Sequence, residues 1–312
     1  MRNVTNLILC GDKAHASFVY RALSKIKRIQ IQAVFSDNDI FCMLDQQLVG
    51  EIARAKNIPT YKPKELTVDT LKSISEKSPV DLMLLVEWKQ LLDSSIFSFP
   101  KLGTFNIHDS LLPEYRGSSP MNWTIINGLT LSGATFYSLN EKADSGPIWA
   151  QKSFQIKPDD YAIDVLKKTC NAYETVAIEG VNAVLDKKNP AQQNEEKATY
   201  CAKRLPSDGF LDFNLDVNRI YNTIRALTPP FPGAFCFYEG KKVIILKASI
   251  AKKQPFYVGN IPGKLLNTRK ILVLCGKGVL HIEKIHVKSN GKVYNDPETF
   301  FVDKNFRINQ ND

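Results

Sequence analysis

Residues 103–120 decide the fold of this 312-residue chain, and they read GTFNIHDSLLPEYRGSSP. The run up to His108 predicts a buried strand, and the Pro, Tyr, Arg and Gly that follow it predict a loop. Alternation along a strand places Asn106 and His108 on the same side of it. Packing alone does not explain these two polar side chains at the end of a buried strand, so they indicate a candidate site.

Strand and helix patterns alternate on the N-terminal side of this stretch. Apolar runs over residues 6–10, 29–35 and 81–86 predict strands, and helical spacing over residues 14–26 and 48–56 predicts helices. Such elements with short connections are typical of a Rossmann-like α/β fold, in which helices cover both faces of a mostly parallel sheet. Ligands of these sheets bind at the carboxyl ends of the strands.

The pattern changes towards the C-terminus. Apolar residues at every third or fourth position over residues 165–184 predict a long helix, and the polar residues 186–198 predict a linker. Closely spaced short strands, separated by Gly-containing turns, follow after one more helix. We therefore expect a catalytic domain with its linker at residues 1–205 and a small β-rich, barrel-like (OB-like) domain at residues 206–312.

Composition narrows the class of protein. Apolar residues make up 44% of the chain and charged residues 23%, which is typical of a globular protein and excludes disordered, collagenous and coiled-coil proteins. No apolar run approaches the roughly 18 to 20 residues that a membrane helix needs, and the N-terminus lacks a signal-peptide pattern. We expect a cytoplasmic protein that has no membrane contact. The six cysteines are scattered without zinc spacing, so neither a metal site nor a disulfide framework is expected.

The net charge of +9 is unevenly distributed along the chain. Residues 206–312 contain 16 Lys and Arg against 9 Asp and Glu, so they carry most of the excess. A basic domain can attract phosphate, nucleic acid or an anionic surface. Because these lysines are dispersed, a solvated face of mixed sign remains an equally good interpretation.

A turn at residues 143–147 adds Asp144 to the two polar side chains on the strand. Asn106 can donate hydrogen bonds to a developing oxyanion, and the imidazole of His108 can exchange a proton at neutral pH. Asp144 can orient the imidazole or accept a proton from an attacking amine. The residues alone leave a second interpretation open, because a His on a strand is more often a core residue and Asp144 can belong to an ordinary turn.

The motif over residues 106–120 resembles the folate-dependent formyltransferase family, as do residues 133–135 and 143–147. This family includes methionyl-tRNA formyltransferase, glycinamide ribonucleotide formyltransferase and the amino-sugar N-formyltransferases. Residues 204–212 and 224–234 resemble the linker and the barrel-like C-terminal domain that the tRNA enzyme shares with some sugar enzymes. The resemblance therefore covers nearly the whole chain.

The resemblance implies transfer of a formyl group from N10-formyltetrahydrofolate to a primary amine, without a metal. The catalytic Asn, His and Asp of the family match Asn106, His108 and Asp144. Asn106 and His108 would stabilise the oxyanion, and Asp144 would help to deprotonate the incoming ammonium. The implied cofactor-binding residues are Leu85, Val86, Glu87, Trp88, Asn106 and Asp144. The implied substrate-binding residues are Ser110, Tyr115, Arg116, Gly117 and Trp123.

Two kinds of acceptor remain open within the family. Methionyl-tRNA formyltransferases typically carry a basic loop after the second strand, whereas residues 35–45 here contain three Asp and no Lys or Arg, which would repel phosphate. Trp123 and the turn at residues 142–146 resemble the nucleotide-linked amino-sugar enzymes, such as the UDP-4-amino-4-deoxy-L-arabinose formyltransferase domain. Ser118 departs from that domain, which has an Arg there.

We expect the acceptor to be a nucleotide-linked amino sugar, a precursor of a cell-surface polysaccharide such as lipopolysaccharide. Nucleic acid is not expected as a partner, and self-association into a homo-oligomer stays open. The alternative is a methionyl-tRNA formyltransferase, which the basic residues 206–312 favour.

Overall fold

The computed structural model describes residues 4–37, 44, 47–252, 257–304 and 307–308. Its internal contacts divide the chain into two compact units. The first unit contains Met1–Pro120, Leu131–Gln155 and Lys167–Ala202, and the second contains Met121–Thr130, Ile156–Leu166 and Lys203–Asp312. The domain boundary near residue 205 stays a prediction.

A mostly parallel sheet forms the centre of the first unit. The strands of this unit are β1 (Thr5–Gly11), β2 (Ile29–Phe35), β3 (Thr60–Tyr61), β4 (Leu82–Val86), β5 (Thr104–His108), β6 (Arg116–Gly117), β7 (Leu131–Ser138), β8 (Ile148–Gln155) and β9 (Tyr200–Cys201). Seven of them pair in the order β3-β2-β1-β4-β5-β7-β8, and β6 pairs with β9 separately. The pairs from β3 to β5 are parallel, whereas β7 and β8 are antiparallel to their neighbours.

The described part of the chain contains seven α-helices. They are α1 (Lys13–Leu23), α2 (Val49–Ala55), α3 (Val68–Lys77), α4 (Ser94–Phe97), α5 (Pro120–Ile126), α6 (Ala162–Leu185) and α7 (Val217–Leu227). Within the described residues, none of them is both long and apolar enough to cross a bilayer. The helix predicted over residues 14–26 ends earlier, at Leu23, where the chain turns towards β2.

The central strands are buried on both faces of the sheet. In β1, Leu7 and Leu9 pack into one apolar cluster together with Tyr173 of α6, whereas Ile8 and Cys10 pack into a second cluster that includes residues of α3. Successive side chains of a strand point to opposite faces, so a strand covered on both faces is apolar at every position. This explains the continuous apolar run that predicted β1.

A curled antiparallel sheet forms most of the second unit. Its strands are β10 (Ala234–Tyr238), β11 (Lys241–Ile250), β12 (Ile271–Leu274), β13 (Val279–Val287) and β14 (Lys292–Tyr294). They pair in the order β10-β11-β13-β12, with β14 also on β13. The register of β11 on β13 shifts on both sides of Lys247, and such irregularities bend a strand and increase its twist. The predicted α/β class with a small β-rich C-terminal sheet is confirmed.

Gly180 of α6 lets this helix lie close to the sheet, and the contact can be tested. A Cβ atom at Gly180 would lie 2.4 Å from ring carbons of Phe136. Gly180→Ala should therefore lower the free energy of unfolding by about 1–2 kcal/mol, because overpacking outweighs the better helix propensity of Ala. Denaturant unfolding measures the change. Glu179→Ala, at the exposed neighbouring position, is the control, and equal stability of the two variants would contradict the packing described here.

Candidate active site

Three predicted catalytic side chains come together in the first unit. The Asn106 Nδ2 atom donates a hydrogen bond to Tyr137 Oη at 2.8 Å, and Tyr137 Oη donates to Asp144 Oδ1 at 2.6 Å. The His108 Nδ1 atom lies 3.8 Å from Asp144 Oδ2. Asn106 and His108 therefore face the same turn, as alternation along β5 predicts.

Tyr137 joins Asn106 to Asp144, and sequence reasoning missed it. Its side chain is buried, and burial together with the Asp144 carboxylate raises the pKa of Tyr137 well above its ordinary value. The phenol consequently stays protonated and keeps donating to Asp144. Tyr137 lies opposite Asn106 in the register between β5 and β7, and no sequence signal reveals that antiparallel pairing.

The amide of Asn106 retains unused hydrogen-bonding capacity. An amide nitrogen carries two hydrogens, and only one of them is directed to Tyr137. The Asn106 Oδ1 atom is buried and has no hydrogen-bond partner among the described residues. Buried polar atoms are normally paired, so this atom indicates a place where a polar ligand belongs.

The orientation of His108 follows from a single backbone contact. Its Nε2 atom lies 2.8 Å from the carbonyl oxygen of Tyr115. A carbonyl only accepts, so Nε2 carries a hydrogen, and Nδ1 is the nitrogen that faces the Asp144 carboxylate. Tyr115 has a φ of 59°, in the left-handed region, and this conformation costs about 1–3 kcal/mol at a non-glycine residue. Nδ1 is therefore the nitrogen that can exchange a proton.

Asp144 is held through both its side chain and its backbone. The Oδ2 atom accepts a hydrogen bond from the Gly117 backbone nitrogen at 2.7 Å, and the carbonyl oxygen accepts one from Gln193 Nε2 at 2.9 Å. Asp144 also lies in the left-handed region, with a φ of 53°. The surrounding hydrogen bonds sustain this strained conformation. The turn thus presents its carboxylate in one position.

Arg116, a predicted substrate-binding residue, has its guanidinium bonded within the protein. The side chain is only 1% exposed and donates to Glu195 at 2.7 and 2.9 Å, to Gln193 Oε1 at 2.8 Å and to Tyr200 Oη at 3.1 Å. Gln193 links Arg116 to the turn, because its Nε2 atom donates to the carbonyl oxygen of Asp144. Arg116 consequently stabilises the turn at Asp144, and its contact with substrate stays a prediction.

The other predicted substrate residues occupy different places. Gly117 lies in the first unit and binds Asp144 through its backbone nitrogen. Ser110 is buried, and its hydroxyl donates to the Glu114 carbonyl at 2.7 Å. Trp123 belongs to the second unit, where the Arg204 guanidinium lies 5.1 Å from its ring centroid. The substrate roles of these residues stay predictions.

The predicted cofactor residues lie beside Asn106. Leu85 is the register partner of Asn106 in the pairing of β4 with β5, and Val86 follows it in the strand. Glu87 comes next in a left-handed conformation, with Oε1 at 3.7 Å from His15 Nδ1. The Trp88 Nε1 atom is buried without a hydrogen-bond partner in the described ranges. The segment after β4 therefore contains an unused donor, and β5 contains the unused acceptor of Asn106.

Two further sequence expectations concern other residues. Most of the acidic segment at residues 35–45 lies outside the described residues, which include 35–37 and 44. Among the residues that the structure describes, no three His, Cys, Asp or Glu side chains are grouped so that they could hold a metal ion.

Comparison with known proteins identifies the family. Residues 4–181 match the model described as formyl transferase, and residues 205–301 match the model of the formyl transferase C-terminal domain. The chain belongs to the formyl transferase family. This formyl transferase is 38% identical over 228 residues to the bifunctional polymyxin resistance protein ArnA of Wigglesworthia glossinidia brevipalpis, over 72% of this chain and 34% of ArnA. It thus matches about a third of the length of that relative.

Solved structures show the same fold as this formyl transferase. The N-formyltransferase from Helicobacter canadensis, in complex with folinic acid and dTDP-3-aminofucose, has a TM-score of 0.68 at 17% identity, over 89% of this chain and 99% of that one. The methionyl-tRNA formyltransferase from Clostridium thermocellum has a TM-score of 0.57 at 19% identity, over 80% of this chain and 96% of that one. The predicted family and fold are confirmed.

Tyr137→Phe tests the bridge between Asn106 and Asp144. The variant keeps the ring but removes the hydroxyl, and hydrogen bonds to charged groups contribute roughly 1.5–3 kcal/mol. We expect kcat for formyl transfer to fall roughly 10- to 100-fold with little change in KM. Tyr173→Phe is the matched control, because Tyr173 is also buried but its hydroxyl donates to the Ile107 carbonyl. Equal kcat losses in both variants would contradict the bridging role.

Glu195→Gln tests the ion pair between Glu195 and Arg116, which lies beside the turn at Asp144. The Arg116 guanidinium lowers the pKa of Glu195 from its ordinary value of 4.5. A carboxyl with a lowered folded-state pKa stabilises the protein above its unfolded-state pKa, and this contribution is lost as the pH falls through the folded-state pKa. Denaturant unfolding should therefore show a steeper loss of stability below about pH 4.5 in the wild type than in Glu195→Gln. Glu196→Gln, at an exposed neighbouring position, should behave as the wild type; identical profiles for all three proteins would refute the coupling.

Proposed function

We propose that this formyl transferase moves the formyl group of N10-formyltetrahydrofolate to the primary amine of a nucleotide-linked amino sugar. The observation that carries the proposal is the hydrogen-bonded arrangement of Asn106, Tyr137 and Asp144 with the His108 imidazole beside the carboxylate. An amide donor, a proton-exchanging imidazole and a carboxylate are the groups that acyl transfer to an amine requires.

The unused polar atoms of the site suit a folate-type donor. Asn106 Oδ1 and Trp88 Nε1 are buried without hydrogen-bond partners among the described residues, and they offer one acceptor and one donor to a polar heterocycle. Leu85, which pairs with Asn106, supplies strand backbone beside Asn106. When bound, the donor supplies an activated formyl carbon. We assign the holding of this group to Asn106, Trp88 and the end of β4.

Each catalytic side chain has a distinct task in the proposed reaction. Asn106 uses the second hydrogen of its Nδ2 atom to stabilise negative charge on the formyl oxygen as the amine attacks. Asp144 accepts a proton from the ammonium, which frees the amine to attack, and Tyr137 and Gly117 keep the carboxylate in position. His108, protonated at Nδ1, would deliver its proton to the departing nitrogen when the bond to the formyl carbon breaks, and it would regain a proton from the acceptor nitrogen, which loses its second proton as the amide forms.

Two observations favour a nucleotide-linked amino sugar as the acceptor. The matching solved structures include an N-formyltransferase bound to dTDP-3-aminofucose, and Trp123 and the turn at residues 142–146 resemble the nucleotide-linked amino-sugar enzymes. The three Asp within residues 35–45 disfavour a tRNA acceptor, because they would repel its phosphates. A methionyl-tRNA acceptor is the second candidate, and the basic composition of residues 206–312 favours it.

A paired assay tests the acceptor. The full chain receives N10-formyltetrahydrofolate together with UDP-, dTDP- or GDP-linked amino sugars in one series and methionyl-tRNA in another. We expect tetrahydrofolate release and amide formation with an amino sugar only. His108→Ala and Asp144→Asn, as controls, should reduce turnover on the order of 100-fold or more while the fold is retained. Formylation of tRNA alone would refute the proposal.

A further inference from the structure

Two arginines of the second unit contact Trp123 of α5 and the C-terminal end of that helix. Trp123 and Asn127 are four residues apart, the backbone nitrogen of Asn127 bonds to the Trp123 carbonyl, and such residues are neighbours on a helix surface. The Arg204 guanidinium lies 5.1 Å from the Trp123 ring centroid. Arg219 Nη1 donates to Asn127 Oδ1 at 2.6 Å. Arg204 is therefore held at Trp123 and Arg219 at Asn127, and the two guanidinium groups are near enough for the charge of Arg219 to act on Arg204.

Most hydrogen-bond donors of these two arginines are unused. A guanidinium has five N–H donors. Arg204 donates to the Asp208 carbonyl, and Arg219 donates to the Ile126 carbonyl and to Asn127 Oδ1. Among the described residues, Arg204 consequently retains four donors and Arg219 three. Both side chains are partly exposed, so these donors remain open to a ligand.

The positive charges of the two arginines are poorly compensated. Within the described part of the chain, no carboxylate lies within ion-pair distance of either guanidinium. Burial lowers the pKa of Arg204, the charge of Arg219 lowers it further, and the Asp208 carboxylate acts in the opposite direction. The Asp208 carboxylate accepts a hydrogen bond from the Leu205 backbone nitrogen. Two adjacent cations repel each other, and a bound anion removes that repulsion.

We propose that Arg204 and Arg219 form a binding site for the diphosphate of a nucleotide, with Trp123 and Asn127 holding the two guanidinium groups in place. Guanidinium groups bind phosphate oxygens through pairs of parallel hydrogen bonds, and two of them side by side match two linked phosphates. The inference rests on the proposed function in one respect, namely that the nucleotide belongs to the amino-sugar acceptor.

The size of the site favours a small ligand over nucleic acid. Proteins that bind nucleic acid through its backbone commonly neutralise six or more phosphates. Here two arginines are presented together, and Trp123, the aromatic side chain beside them, is covered by Arg204. A diphosphate needs no more than this pair. The nucleotide sugar therefore accounts for the site without a role for RNA.

Equilibrium binding of UDP and dTDP to the full chain, without a formyl donor, tests the site. Arg204→Gln and Arg219→Gln should each raise the Kd for the nucleoside diphosphate tenfold or more, whereas UMP and dTMP, which carry one phosphate, should bind more weakly and depend less on either arginine. Arg204→Lys and Arg219→Lys keep the positive charge but lose the pair of parallel N–H donors, so we expect affinities between those of the wild type and the Gln variants. Arg269→Gln, an exposed arginine of the same unit, is the matched control and should bind as the wild type does.

The outcomes separate this inference from the proposed function. Nucleoside diphosphate binding that depends on both arginines, without formylation of any amino sugar, would support the site and refute the proposed acceptor. Formylation of an amino sugar with KM and Kd values that respond to neither arginine would refute the site alone. Loss of tRNA binding in the Gln variants, with no binding of UDP or dTDP by the wild type, would assign the arginines to RNA and overturn the inference.

Discussion

The carboxylate of Asp144 is the group on which the candidate active site depends. Its side chain is 14% exposed, and a carboxylate that is largely withdrawn from water needs hydrogen-bond donors within the protein. Tyr137 and Gly117 provide them, and each has a second function. Tyr137 also receives a hydrogen bond from Asn106, and Gly117 belongs to the loop that orients His108. Hydrogen bonding to one half-buried carboxylate thus positions the amide and the imidazole as well.

The buried charge of Arg116 explains how the polar segment at residues 186–198 contributes to the candidate site. The guanidinium of Arg116 is almost fully buried, so it requires carboxylate and amide partners, and Glu195 and Gln193 supply them. Gln193 then reaches the backbone of the catalytic turn at Asp144. Residues 186–198 resemble a linker because they are polar. The same polar side chains form hydrogen bonds with Arg116 and with the turn at Asp144.

The fold was largely predictable because burial on two faces leaves a direct mark on the sequence. Continuous apolar runs revealed the central strands, and alternation correctly placed Asn106 and His108 on one side of β5. The sequence pattern does not show which strands pair with each other. The antiparallel β7 was not among the predicted strands, and its place beside β5, with Tyr137 opposite Asn106, is a tertiary property. The role of Gln193 was equally hidden, because one amide within a polar segment gives no sign that it contacts Arg116 and Asp144.

The sequence by itself determined the α/β pattern, the change to short strands after residue 205 and the chemistry of Asn106, His108 and Asp144, because side-chain type and periodicity are local properties. Only the tertiary structure decided which groups orient that chemistry. Tyr137 meets Asn106 across a separation of 31 positions, and Arg116 meets Gln193 across 77. A hydrogen bond depends on distance and direction in space, and the packing of the sheet, turn and linker sets both.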